Sequence, residues 1–69
     1  MNVVKVVELV ADSPYGWQDA VEQAVSRAAE TIDNISGIEV KNFTASVKDG
    51  KVTEYKADLH LAFRVNDPE

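Results

Sequence analysis

In "VTEYKADLHLAFRV", Val52 to Val65, the residues Glu54, Lys56, Asp58, His60 and Arg64 occupy alternate positions. In an extended strand, alternate side chains share one face. Carboxylates gathered on such a face can hold a hard cation through oxygen. Glu39, in "GIEV", adds a third carboxylate on a neighbouring apolar-alternating run, so Glu39, Glu54 and Asp58 are the candidate ligands for calcium or magnesium. The chain has no EF-hand loop spacing, so any such site is expected between subunits. His60 is the only histidine. An imidazole can carry acid–base or metal chemistry, but a histidine with no serine or cysteine partner makes no triad. Its expected role is that of an inward-facing or interfacial polar residue.

The chain as a whole narrows the function classes. Sixty-nine residues make one domain at most, spanning residues 1–69. There is no cysteine, so disulfides, thiolate metal sites and cysteine nucleophiles are excluded. The chain begins with Met1 and "MNVVKVVELVA" is too short and too charged for a leader or a membrane span, which makes a cytoplasmic setting the expectation. The net charge is −5 and the seven basic residues are scattered, so no phosphate-neutralising patch for nucleic acid is present. A chain this short draws only about 3–5 kcal/mol from a single core. Without disulfides or a metal motif, self-association is the expected remedy.

The elements that would position these residues follow from periodicity. "NVVKVVELVA", residues 2–11, is β-branched and reads as a strand. Val4, Val6, Glu8 and Val10 share one face, and Val3, Lys5, Val7 and Leu9 the other, so both faces need cover. "DSPYG" reads as a loop. In "WQDAVEQAVSRAAETIDN", residues 17–34, Trp17, Ala20, Val21, Ala24, Val25, Ala28, Ala29 and Ile32 form a helical stripe. Gly16 is the expected N-cap, and the phase of Trp17 places it in the core or at a subunit contact. Gly37 reads as the junction where helical spacing gives way to strand spacing.

Asp49-Gly50 between two alternating runs predicts a hairpin. With these two as the loop, Lys48 faces Lys51, Val47 faces Val52, Val40 faces Leu59 and Ile38 faces Leu61. Tyr55, Ala57, Leu59, Leu61, Phe63 and Val65 then meet the helix, while Phe43, Ala45, Val47 and Val52 join the charged residues on the opposite face. The order is β-α-β-β, an α+β subunit. Its three antiparallel strands are expected in spatial order 1-3-2 on one helix.

The pieces "KVVELV", "SPYGWQDA", "DGKV" and the closing "FRV", in this order and spacing from Lys5 to Val65, resemble the dodecin family. The resemblance implies a β-α-β-β subunit in a hollow shell of twelve copies. It implies a non-catalytic role in the cytoplasm, commonly flavin binding and storage. Some members bind coenzyme A, and others, the calcium dodecins, are not flavin proteins. In flavin-binding members a tryptophan opens the second strand, and two copies of it sandwich the isoalloxazine. A glutamine in the third strand bonds the polar edge of the flavin.

The matching positions here are Gly37 and Lys56, and Arg64 stands where members that bind nucleotides could contact a phosphate. With neither ring nor amide, the chain is expected to lie nearer the calcium dodecin type and to bind flavin weakly or not at all. Its expected partners are other copies of itself and a small ligand or cation. Residual flavin binding through Lys56 and backbone groups, and a shell with no ligand, are the rival readings.

Overall fold

The computed structural model describes residues 3–65. Asn2, expected in the first strand, and the polar tail 66–69 lie outside the described residues. The elements are β1 (Val3–Ser13), α1 (Trp17–Ala28), β2 (Ile35–Lys48) and β3 (Lys51–Val65). The sheet has the order β1-β3-β2 with both pairings antiparallel, as the sequence predicts. β1 is longer than expected, taking in Asp12 and Ser13 from the expected loop. The reason is the length of β3, which offers Lys56 and Tyr55 as their partners.

The helix docks through alanine. Ala20, Ala24 and Ala28 are buried, and they meet a sheet face whose buried residues are Ala57, Leu59 and Leu61. Leu9, Ala11 and Val21 close this small core at its margins. At the start of the helix, the Ser13 hydroxyl donates to Asp19 Oδ2 at 2.6 Å and accepts from the Tyr15 amide at 3.0 Å. The serine is only 2 % exposed, so these two bonds satisfy a polar group that burial would otherwise penalise. Trp17 lies at the rim, 40 % exposed. Its indole N–H donates to the Thr44 carbonyl at 2.8 Å, and its ring meets Tyr55 edge-on with centroids 5.0 Å apart.

The helix ends at Ala28, four residues before its apolar stripe does at Ile32. Its last turn tightens through Glu30 N–H to Arg27 O and Thr31 N–H to Ala28 O. Asn34 then turns the chain with φ 66. Its carbonyl accepts from the Arg64 amide at 3.1 Å, which ties the start of β2 to the end of β3. The junction expected at Gly37 therefore falls earlier, at Asn34, a residue type that tolerates the left-handed region. Gly37 is already inside β2.

The hairpin turn is as expected. Asp49 (φ 52) and Gly50 (φ 75) both have the positive φ that a two-residue type I′ loop requires. Lys48–Lys51, Val47–Val52, Val40–Leu59 and Ile38–Leu61 are all opposite each other. Between them, however, the register slips by one and then slips back. Thr53 is extra on β3, and Lys41 is extra on β2. In the intervening stretch Phe43 faces Ala57 and Ala45 faces Tyr55, so Phe43 and Ala45 lie on the helix side, not on the charged face. Phe43 uses that position to pack against Trp17, with centroids 5.8 Å apart.

Much apolar surface stays uncovered. Val4, Val6 and Val10 on β1 are 54, 53 and 70 % exposed, and Val47 and Val52 at the hairpin are also open. The radius of gyration is 14.5 Å, against about 11 Å for a compact domain of this length. The long hairpin extends past anything the helix can reach.

The turn at Asn34 makes a direct prediction. Asn34→Ala places a Cβ-bearing residue without a helpful side chain in the left-handed region and should cost about 1–2 kcal/mol. Asn34→Gly likewise removes the side-chain hydrogen bond from Asn34 Nδ2 to the Arg64 carbonyl at 3.4 Å, but without that strain, and should cost distinctly less. Urea denaturation of both variants measures the difference, and equal losses would show that the backbone angle is not the cause.

Candidate functional site

The face of the sheet turned away from the helix carries the candidate residues in cross-strand rows. One row is Glu8–His60–Glu39, and the next is Val10–Asp58–Asn42. Further along come Asp12–Lys56–Thr44 and, beyond the end of β1, Glu54–Ser46. In the other direction are Val6–Ala62–Gly37 and Val4–Arg64. Glu54, Lys56, Asp58 and His60 are thus on one face, as the alternation predicts, and each is half-buried.

Gly37 is exposed in β2, just after an irregularity at Ser36. A Cβ built on it meets no atom within 4 Å. It borders a shallow hollow of about 260 Å³ lined by Val6, Gly37, Ile38, Glu39, His60 and Ala62. A second hollow, of about 380 Å³, is lined by Val4, Asn34, Ile35, Ser36 and Arg64. Gly37 and Arg64 therefore border neighbouring depressions.

Lys56 does not join them. The Gly37 row crosses β3 at Ala62, six residues from Lys56, which at about 3.3 Å per residue is about 20 Å along the strand. No single chain brings Gly37 and Lys56 to one small ligand. The first hollow also holds no aromatic side chain, so the residues of one chain do not fit an isoalloxazine ring.

The three carboxylates proposed as cation ligands are likewise spread out. Glu39 and Asp58 are in adjoining rows, but Glu54 is four residues from Asp58, about 13 Å along β3. Among the described residues no group of three His, Cys, Asp or Glu side chains is placed to hold a metal ion. Glu39 instead has Lys41 at 3.9 Å, an exposed pair of small energetic value.

The residue that sequence reasoning missed is Glu8. It borders Asp58, and the hydrogen bond with that carboxyl, followed by the Asp58 charge, raises its pKa from the ordinary value. The charges of His60 and Lys41 act in the opposite sense. Asp58 Oδ1 is sealed from solvent and has no hydrogen-bond partner. The phase of Glu8 with Val4, Val6 and Val10 could have signalled which face it joins. Its neighbour could not be read, because no tight turn fixes the register of β1 on β3.

A model of one family, described as Dodecin, matches residues 3–66. The chain belongs to the dodecin family. A dodecin of Thermus thermophilus is 34 % identical over 66 residues, which are 96 % of each chain. A calcium dodecin of Mycobacterium tuberculosis is 33 % identical over 66 residues, covering 94 % of this chain and 92 % of the relative. Among solved structures, the Streptomyces coelicolor dodecin superposes with a TM-score of 0.92 at 33 % identity, with 97 % of this chain and 96 % of that one covered. The M. tuberculosis calcium dodecin superposes with a TM-score of 0.81 at 29 % identity, with the same coverage. Identities of 34 and 33 % do not separate the dodecin types, so that distinction returns to the residues at Gly37 and Lys56.

The open space at Gly37 predicts that a large side chain is tolerated in this dodecin subunit. Gly37→Trp should change the stability of the fold by no more than about 0.5 kcal/mol, as at other unconstrained surface sites. Urea unfolding of the variant checks this, and a loss of several kcal/mol would mean that the position is closed.

Proposed function

We propose that the protein is a non-catalytic, self-assembling dodecin shell that sequesters a small ligand other than flavin. The observation that carries this reading is Gly37. It stands at the position of the flavin-stacking tryptophan of flavin-binding members, and it offers open space and no ring. Stacking on an aromatic side chain is worth about 1–3 kcal/mol by analogy with nucleobases. Losing a ring on each side of the flavin would lower affinity by about two to four powers of ten. Lys56 adds to the loss, because an ammonium donates hydrogen bonds but accepts none, so it cannot reproduce the paired bonds of an amide.

Assembly is supported by the imbalance between a core with two leucines and the exposed Val4, Val6, Val10, Val47 and Val52. Apolar surface left open in this amount marks an interface. The 20 Å between Gly37 and Lys56 supports it too, since only separate copies can bring both positions to one ligand. A cytoplasmic location accords with the absence of cysteine. No helix among the described residues is long and apolar enough to cross a membrane.

Two measurements test the reading. Mass photometry should find a particle of about 91 kDa, twelve times the chain mass of 7.6 kDa; a monomer or dimer would remove the basis for a shell. Riboflavin fluorescence should be little quenched by micromolar protein, and Gly37→Trp combined with Lys56→Gln should tighten binding by about a hundredfold or more. A submicromolar dissociation constant for the unaltered chain would refute the loss of the flavin site.

A further inference from the structure

We propose that Asp49 is a site of spontaneous aspartate–isoaspartate isomerisation, and that this modification undoes the tip of the β2–β3 hairpin while sparing the core. Asp49-Gly50 is the only aspartate–glycine pair in the chain. Both residues are exposed at the hairpin tip. The reaction needs a carboxyl side chain, an accessible amide nitrogen on the next residue, and freedom to bring the two together. Glycine leaves that nitrogen unshielded, because it carries no Cβ.

The chemistry uses only water. The Gly50 amide nitrogen attacks Asp49 Cγ and forms a C–N bond. The Cγ–OH bond of the carboxyl breaks, and the hydroxyl leaves as water with the amide proton. The product is a five-membered succinimide ring. Water then adds to a ring carbonyl and breaks its bond to nitrogen. Opening at Cγ restores aspartate. Opening at the main-chain carbonyl leaves the chain running through Cβ and Cγ, with the former main-chain carbon as a free carboxylate. Mass is unchanged, one carboxylate is kept, and nothing is oxidised or reduced.

Ring closure requires rotation about the Asp49 Cα–C bond, out of the I′ turn, so the tip must first open. Its surroundings make opening easy. The ladder closes at Lys48–Lys51, and among the described residues no turn hydrogen bond uses the Gly50 amide. Two lysines directly opposite each other disfavour that last pair. The register shift at Thr53 leaves only Val47–Val52 and Lys48–Lys51 beyond it. Both valines are exposed, so little packing resists local opening. Other aspartates are held more firmly. Asp19 precedes Ala20, whose amide donates to the Gly16 carbonyl at 3.1 Å. Asp12 precedes Ser13, which is buried and paired with Tyr55.

Isoaspartate inserts one carbon into the backbone of a loop whose two residues must both hold positive φ. The turn is lost, and with it the two pairs beyond the bulge. The rest of the hairpin is held separately, by Trp17 on the Thr44 carbonyl and on Phe43.

The experiment ages the intact protein for weeks in warm, mildly acidic buffer, beside the same chain unfolded in guanidinium chloride. Resistance to Asp-N proteinase and electron-transfer fragmentation locate isoaspartate at each position. In the native protein Asp49 should isomerise within about tenfold of its unfolded rate, whereas Asp12 and Asp19 should be slowed about a hundredfold or more. Asp49→Asn keeps the residue types of a I′ turn and should pass through the same succinimide with ammonia as leaving group, giving aspartate and isoaspartate at this position. In the isomerised fraction, hydrogen exchange at Val47, Lys48, Lys51 and Val52 should speed up, and at Leu59 and Leu61 stay unchanged. Native Asp49 slowed as strongly as Asp12, no isoaspartate in aged Asp49→Asn, or unaltered exchange at the tip would overturn the proposal.

Discussion

The helix touches the sheet through alanine methyl groups, and the rest of the molecule depends on that closeness. Ala20, Ala24 and Ala28 let the helix lie against Ala57, Leu59 and Leu61 with little side-chain bulk between. The contact is close, yet it buries only two large side chains. A strand of fifteen residues cannot be covered by a helix of twelve, whose length is about 18 Å at 1.5 Å per residue. The far end of the hairpin and the whole opposite face are left to other surfaces. The small core and the exposed valines are thus two consequences of one packing choice.

β3 is where this geometry orders the outer face. It alone pairs with both neighbours, so its outward residues from Lys56 to Ala62 become the middles of rows. His60 lies between Glu8 and Glu39, and Asp58 between Val10 and Asn42. The inward residues of the same strand, Ala57, Leu59 and Leu61, are held in place by the helix. Burial on one side therefore sets the position of the charges on the other, because side chains alternate with a period of two.

The same periodicity explains what could be read from the sequence. The strand order, the helix position, the I′ turn and the Val40–Leu59 and Ile38–Leu61 pairs were all legible, because apolar alternation and Asp49-Gly50 specify them locally. Phe43 was not. The bulges at Thr53 and Lys41 cancel, so the pairs at both ends of the hairpin agree with an unbroken register while the middle is out by one. Only Trp17 reaching Phe43 and the Thr44 carbonyl shows why the slipped stretch is useful. The end of the helix was misplaced for a similar reason: Ala29 and Ile32 continue the stripe, but the chain turns at Asn34 to pair with Arg64. The contact of Glu8 with Asp58 depends on a register that no turn sets, and it needed the three-dimensional structure.

Gly37 and Lys56 differ in how closely the fold holds them. The chain turns at Asn34, and the backbone φ of Gly37 is not in the left-handed region. Nothing packs where its side chain would stand. The fold therefore places almost no demand on this position. Lys56 is different, because it lies in the middle of β3, half-buried in a row with Asp12 and Thr44. It is opposite Asp12 across the β1–β3 ladder, so replacing it alters the charge balance of the outer face. Substitution at the two positions thus has unequal structural consequences: it is nearly free of the fold at Gly37 and coupled to the outer face at Lys56.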